Sequence, residues 1–192
     1  MMCAVALVLL LDASGSINAT EWRQQLDGTA DALADPRVVR VIERGPGVAV
    51  TAIAFDTDTA EILPWRVART GAEAAAVAAE LRGAQRPLSG GTAIGAALDA
   101  ARAALAEAPC AADELVVDLS TDGEDLPAET EAARDRATAE GIRVNAIGVG
   151  RESAAEWLRA HAVTPGGFAL SADWSGFAEA MVRKLVLEVA SR

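Results

Sequence analysis

The feature that most restricts this chain is a set of short apolar runs, each too continuous for a strand with one face in water. Residues 5–11 (VALVLLL) contain no polar side chain, and 47–55 (GVAVTAIAF), 114–120 (ELVVDLS) and 142–150 (IRVNAIGVG) come close to the same pattern. A half-exposed strand alternates apolar and polar residues, whereas a strand covered on both faces does not. Between the runs, apolar residues recur at helical spacing: Trp22, Leu26, Ala30 and Leu33; Ala74, Val77, Ala78 and Leu81; Ile94, Leu98, Ala101 and Leu105. Trp174, Phe177, Met181, Leu185 and Val189 form the stripe of a C-terminal helix. A helix is also expected to start at Pro127 and to stop near Gly141. Strands alternating with helices predict an α/β fold, a mostly parallel sheet with helices on both faces. Residues 60–68 alternate and contain Pro64, which suits an edge strand, and 167–171 reads as a last short strand.

No linker, repeat or low-complexity tract interrupts this pattern, so residues 1–192 are expected to form a single domain. The apolar fraction of 52% excludes a disordered chain. No apolar run reaches the length of a membrane span, and a net charge of −11 has the wrong sign for phosphate backbones or anionic lipid. Neither nucleic acid binding nor membrane insertion is therefore expected. His161 is the only histidine and no Cys-x-x-Cys pair exists. That rules out a histidine-rich metal site, a zinc ribbon and any mechanism using two histidines. The apolar N-terminus lacks a basic leader and a small-residue cleavage site, so it reads as a strand. The expected location is cytoplasmic if Met1 is the native start. It is periplasmic or secreted if an export segment is missing upstream.

In open α/β sheets, ligands bind beyond the carboxyl ends of the strands. Three segments here carry oxygen side chains at that edge: Asp12-x-Ser14-x-Ser16, Gly90-Gly91-Thr92, and Ser120-Thr121-Asp122-Gly123. Carboxylate and hydroxyl oxygens are hard ligands, suited to Mg2+, Mn2+ or Ca2+. Each segment also has an ordinary reading. Asp12, Ser14 and Ser16 suit a turn and helix cap, Thr92 the N-cap of the next helix, and Asp122 a turn before Gly123. Asp56, Asp58, Glu124 and Asp125 read as solvated loop charges. His161 reads as a helix-end surface or packing residue, and the four tryptophans as core or half-buried packing.

Asp12-x-Ser14-x-Ser16, the separate Thr92 and the late Asp122-Gly123 together resemble the metal-ion-dependent adhesion site (MIDAS) of von Willebrand factor type A domains. The stretches "PWRVA", "GGTAIGAAL", "VVDLSTDGED", "GIRVNAIGV", "TPGGFAL" and "FAEAMVRKLVLEV" resemble an uncharacterised, usually exported bacterial branch of that family. The resemblance implies a three-layer, doubly wound, Rossmann-like fold. Its six-stranded sheet is mostly parallel, with residues 60–68 as the antiparallel edge strand. It further implies that Ser14, Ser16 and Thr92 bind a divalent cation, Mg2+ or else Mn2+ or Ca2+. Asp12 and Asp122 would act directly or through water, and a protein partner's acidic residue would complete the coordination. The function implied is a non-enzymatic interaction module. Where that branch commonly has asparagines after the late Asp-Gly, this chain has Glu124-Asp125-Leu126. The family topology also makes the strands after Cys3 and Cys110 neighbours, so a Cys3–Cys110 disulfide is allowed if the protein is exported.

Two alternatives remain at this stage. A HAD-like Mg2+-dependent phosphohydrolase also places an aspartate after its first strand. It uses Asp-x-Asp, however, and Ser14 stands where the second carboxylate would be. A type A scaffold domain without a metal-dependent ligand is the other.

Overall fold

A computed structural model of the protein describes residues 1–87 and 89–190; within the expected 87–92 loop, Leu88 lies outside the described residues. The strands are β1 (Met2–Asp12), β2 (Val48–Phe55), β3 (Thr59–Ala68), β4 (Ala111–Thr121), β5 (Ile142–Val149) and β6 (Ala169–Ala172). The helices are α1 (Ala19–Ala34), α2 (Pro36–Arg44), α3 (Gly71–Arg82), α4 (Ile94–Ala106), α5 (Pro127–Ala139), α6 (Glu152–His161) and α7 (Phe177–Ala190). The strands form one sheet in the order β3-β2-β1-β4-β5-β6. Every pairing is parallel except β2 with β3. This is the expected six-stranded α/β sheet with one antiparallel edge strand, and Pro64 lies on that edge.

The apolar run of β1 is explained by its place in the sheet. Leu7, Leu9 and Leu11 point into one core, while Ala6, Val8 and Leu10 point into a second core on the opposite face. The first core is completed by residues of α1, α2, α3 and α7, and the second by residues of α4, α5 and α6. Both β1 neighbours are parallel strands, so β1 has no wet face and no reason to alternate. Leu9 is fully buried, and Leu9→Ala should cost about 2–5 kcal/mol.

The strand order also sets where chemistry can happen. The sheet reverses direction of winding between β1 and β4. Loops leaving those two strands diverge to opposite faces and leave a crevice at their carboxyl ends. Asp12 is the last residue of β1 and Thr121 the last of β4, with Leu11 paired to Ser120. Two of the oxygen-rich segments therefore begin side by side. At the other end, β1 begins at Met2, so Cys3 lies inside the strand rather than before it as expected, and Cys110 immediately precedes β4. The two are joined by a disulfide.

Candidate metal centre

Asp12 is fully buried, and its carboxylate organises the first segment. Oδ1 accepts from the Ser14 amide at 2.7 Å, folding the chain back immediately after the strand. Oδ2 accepts from the Thr121 hydroxyl at 2.5 Å, tying the ends of β1 and β4 together. Behind it, Gln25 of α1 donates to the Asp12 carbonyl at 2.9 Å and accepts from the Ser120 hydroxyl. The Ser14 and Ser16 hydroxyls lie 3.0 Å apart, and Ser16 donates to Asp122 Oδ1 at 2.8 Å. One connected set of contacts thus joins four of the five residues.

Thr92 arrives from the other side. Gly15 donates to the Gly90 carbonyl at 2.7 Å, so the first and second segments lie against each other. A β-carbon at Gly15 would sit 3.4 Å from that carbonyl. A β-carbon at Gly123 would sit 3.2 Å from both Oγ1 and Cγ2 of Thr92, so glycine there lets Thr92 approach the Asp122 turn closely. The Thr92 hydroxyl has no protein hydrogen-bond partner among the described residues.

The helix-capping explanations for these oxygens fail. Helix α1 is capped by Asn18, whose side chain accepts from the Thr20 and Glu21 amides, while Glu21 accepts in return from the Asn18 amide. Helix α4 has no capping side chain at its N-cap, Ala93; its Gly95 amide donates instead to Asp125 at 3.0 Å. Ser14, Ser16 and Thr92 are therefore not spent on helix ends. Asp125 also accepts from the Thr130 hydroxyl and the Leu126 amide, which corrects its reading as a solvated charge.

Asp56 is a second correction. It lies at the end of β2, is 5% exposed, and accepts from the Asp58 amide at 2.6 Å and from the Gly90 amide. Its own carbonyl accepts from the Ala93 amide at 2.8 Å. It grips the Thr92 segment at both ends. Burial pushes its carboxyl up, but the hydrogen bonds from Asp58, Gly90, Ser89 and Thr57 outweigh that and hold it below the ordinary value. The signal was present in the sequence: like Asp12, Asp56 directly follows a buried strand.

Arg86 was not foreseen. Its guanidinium donates to the Ala13 carbonyl at 2.8 Å and to the Ser14 carbonyl at 2.5 Å, clamping the first segment from the side of the second. Arg151 donates to the Asp122 carbonyl at 2.8 Å and steadies the third. Asp58 and Glu124 are exposed, as expected. His161 ends α6, pairs with Glu131 at 2.7 Å and stacks against Trp157, away from these loops. A groove of about 570 Å3 along α1, bordered by Arg23, Asp27 and Trp174, is lined by none of the five residues.

The electrostatics favour a cation. Burial raises the Asp12 carboxyl above its ordinary value; hydrogen bonds from Ser14 and Thr121 oppose this, and the charge of Asp122 adds to it. A buried carboxylate facing a second carboxylate is costly unless a positive charge joins them. Three hydroxyls and two carboxylates form a hard-oxygen donor set with an unpaired hydroxyl, and such a set fits Mg2+, Mn2+ or Ca2+.

Sheet order, the antiparallel edge and the crevice at the β1 and β4 ends define the fold of von Willebrand factor type A domains. Solved structures agree. A von Willebrand factor type A protein from Catenulispora acidiphila superposes with a TM-score of 0.71 at 20% identity, over 97% of this chain and 43% of that one. The vWF domain of the type V pili tip protein Mfa5 from Porphyromonas gingivalis gives 0.72 at 11% identity, over 100% and 97%. Proximal thread matrix protein 1 from the mussel byssus, with a zinc-occupied MIDAS motif, gives 0.68 at 20% identity, over 97% and 46%. The chain spans less than half the length of the first and third of these. The sequence matches none of the curated proteins compared with it. Within the class, the chain belongs to the DUF1194 family, proteins of unknown function, whose model matches residues 2–192.

Proposed function

We propose that residues 1–192 form a single metal-ion-dependent interaction module. Ser14, Ser16 and Thr92 would hold a divalent cation, Mg2+ in the first instance, with Asp12 and Asp122 bound directly or through water. A protein partner would supply an acidic side chain to the cation. The observation that supports this reading is that contacts join the three oxygen-bearing segments to one another while Asn18 and Asp125 serve the helix ends. When bound, the cation supplies a Lewis-acidic position for a carboxylate. The chain's own part is to fix the oxygens, through Asp56, Arg86 and Gln25, and to limit the negative charge to two carboxylates.

No catalytic residue is assigned. A phosphohydrolase of the kind considered above needs a carboxylate at position 14, and the Ser14 hydroxyl is instead paired with Ser16. The Cys3–Cys110 disulfide supports work in an oxidising compartment, the periplasm or the cell exterior.

Calorimetry with Mg2+, Mn2+, Ca2+ and Zn2+ on the wild type, Asp12→Ala and Thr92→Ala tests the site. Saturable binding that both variants retain would remove it. Capture of a partner from a lysate with and without EDTA, followed by substitution of the partner's acidic residues, tests the bridge.

A further inference from the structure

On the α7 side of the sheet, away from the carboxyl edge, lies a buried group of charges that the proposed metal site does not use. Lys184 of α7, Asp118 of β4 and Glu188 of α7 are all 0–1% exposed. The Lys184 ammonium nitrogen Nζ is 2.7 Å from Asp118 Oδ1 and 2.6 Å from Glu188 Oε1. Asn145 of β5 donates to the same Glu188 oxygen at 2.9 Å. The Phe168 ring lies 6.0 Å from Nζ. Both Asp118 carboxylate oxygens and Glu188 Oε2 are buried without a hydrogen bond, the Lys184–Asp118 contact being an ion pair only.

One cation between two carboxylates, with three carboxylate oxygens lacking a hydrogen bond, is a poor way to bury charge. Each ion loses its hydration, and the mutual attraction repays that only when every oxygen is satisfied. Burial, resisted by Lys184 and reinforced by Asp118, pushes the Glu188 carboxyl up to about 8. The Lys184 nitrogen, the Asp118 carboxyl and the Glu188 acid are thus held together in a buried site, and fixed proximity of this kind replaces an encounter in solution.

We propose that Lys184 and Asp118 condense into an intramolecular amide that joins α7 to β4, with Glu188 carrying the proton. Proton transfer from the Lys184 ammonium to the Asp118 carboxylate gives the neutral pair. Nζ attacks Cγ of Asp118, and a C–N bond forms. Glu188 accepts the proton shed by nitrogen on one oxygen and delivers its own to the departing hydroxyl. The C–O bond breaks and one water leaves. Glu188 ends as it began, no oxidant or reductant takes part, and the two opposite charges are replaced by one neutral amide. Asp118 lies four residues before Asp122, so the strand whose end contributes to the candidate metal site would be stapled to the C-terminal helix.

The test is the mass of the intact, purified wild-type chain. The expected value is the sequence mass, less the two hydrogens of the disulfide, less one water. Digestion with trypsin should fail to cut after Lys184, and fragmentation should show a branched peptide linking Lys184 to Asp118. Lys184→Arg and Glu188→Gln should each retain the water. A wild-type mass lacking only the disulfide hydrogens overturns the proposal. A water lost instead at Asp122-Gly123, where a succinimide would form, overturns it too, as does loss of ammonia from Asn145. Retention of the branched peptide in Glu188→Gln overturns the role given to Glu188.

Discussion

Ser16 Oγ donates to Asp122 Oδ1 at 2.8 Å although 106 residues separate the two in sequence. The bond is the point where the β1 and β4 loops close on each other beyond the sheet edge. It joins two segments of the candidate site that are unremarkable one by one. On the proposed role, Asp122→Ala removes both a carboxylate and the partner that aims Ser16. Its Mg2+ or Mn2+ dissociation constant should rise by on the order of 100-fold or more, since even outer groups around a metal cost 10–100-fold. Ser16→Ala should weaken binding less, and the double variant should fall short of the sum of the two losses because the residues act together. Calorimetry on the four proteins measures this directly.

Arg86 gives a sharper test, because it is none of the five proposed ligands. Its guanidinium holds the Ala13 and Ser14 carbonyls from outside the site. Arg86→Ala should weaken cation binding about tenfold, in the range expected for groups that orient ligands. Arg86→Lys should recover only part of this, since an ammonium cannot reproduce a planar fork serving two carbonyls. If Arg86 served stability alone, the melting temperature would fall while the metal dissociation constant stayed put.

How much of this was legible beforehand follows from where each contact arises. The sheet was readable because burial on both faces leaves a continuous apolar run, and Leu7 to Leu11 show it residue by residue. Asp12, Ser14, Ser16, Thr92 and Asp122 could be proposed as a set because together they resemble the motif of the type A family, four of them at the ends of β1 and β4 and Thr92 just before α4. Arg86 was not, because its targets are carbonyls 72 and 73 residues away, and carbonyls leave no mark in a sequence. Asp125 looked like a loop charge because α4, whose amide it accepts from, begins 31 residues earlier in sequence. Lys184 and Glu188 fall between the apolar positions of the C-terminal helix, and Asp118 lies within the "ELVVDLS" run. Only the sheet order turns the three into a buried group.

Asp56 predicts a pH dependence with a definite sign. Its folded-state carboxyl is held below its ordinary value of 3.8 by the Asp58, Gly90, Ser89 and Thr57 hydrogen bonds, which outweigh its burial. An acid held low in the folded state contributes stability that is complete above the unfolded value and is lost as pH falls through the folded value. Asp56→Asn keeps the shape and removes the charge, so it should cost about 2 kcal/mol at pH 7, as for hydrogen bonds to a charged group. The difference between wild type and variant should shrink below about pH 3.8. Urea titrations at several pH values would show it. A gap that stays constant down to acid pH would mean that the carboxylate charge is not what holds the Thr92 segment.

The disulfide separates stability from ligand binding. Cys3 and Cys110 enclose a sequence separation of 107 residues, so the bond removes much freedom from the unfolded chain. Its loss should cost about 2–4 kcal/mol, with about 4.7 kcal/mol as the chain-entropy figure for a loop of roughly this length. Cys3 sits near the start of β1 and Asp12 at its end, roughly 30 Å away along the strand at the rise of a parallel sheet. Cys3→Ala/Cys110→Ala should therefore lower the urea midpoint and somewhat steepen its slope, since the unfolded chain without the cross-link is less compact and exposes more surface. The cation dissociation constant of the folded double variant should match that of the wild type. A weakened cation affinity in a variant that is still fully folded would show that strain at the amino edge of β1 and β4 reaches their carboxyl ends, and the two halves of the sheet would then have to be treated as coupled.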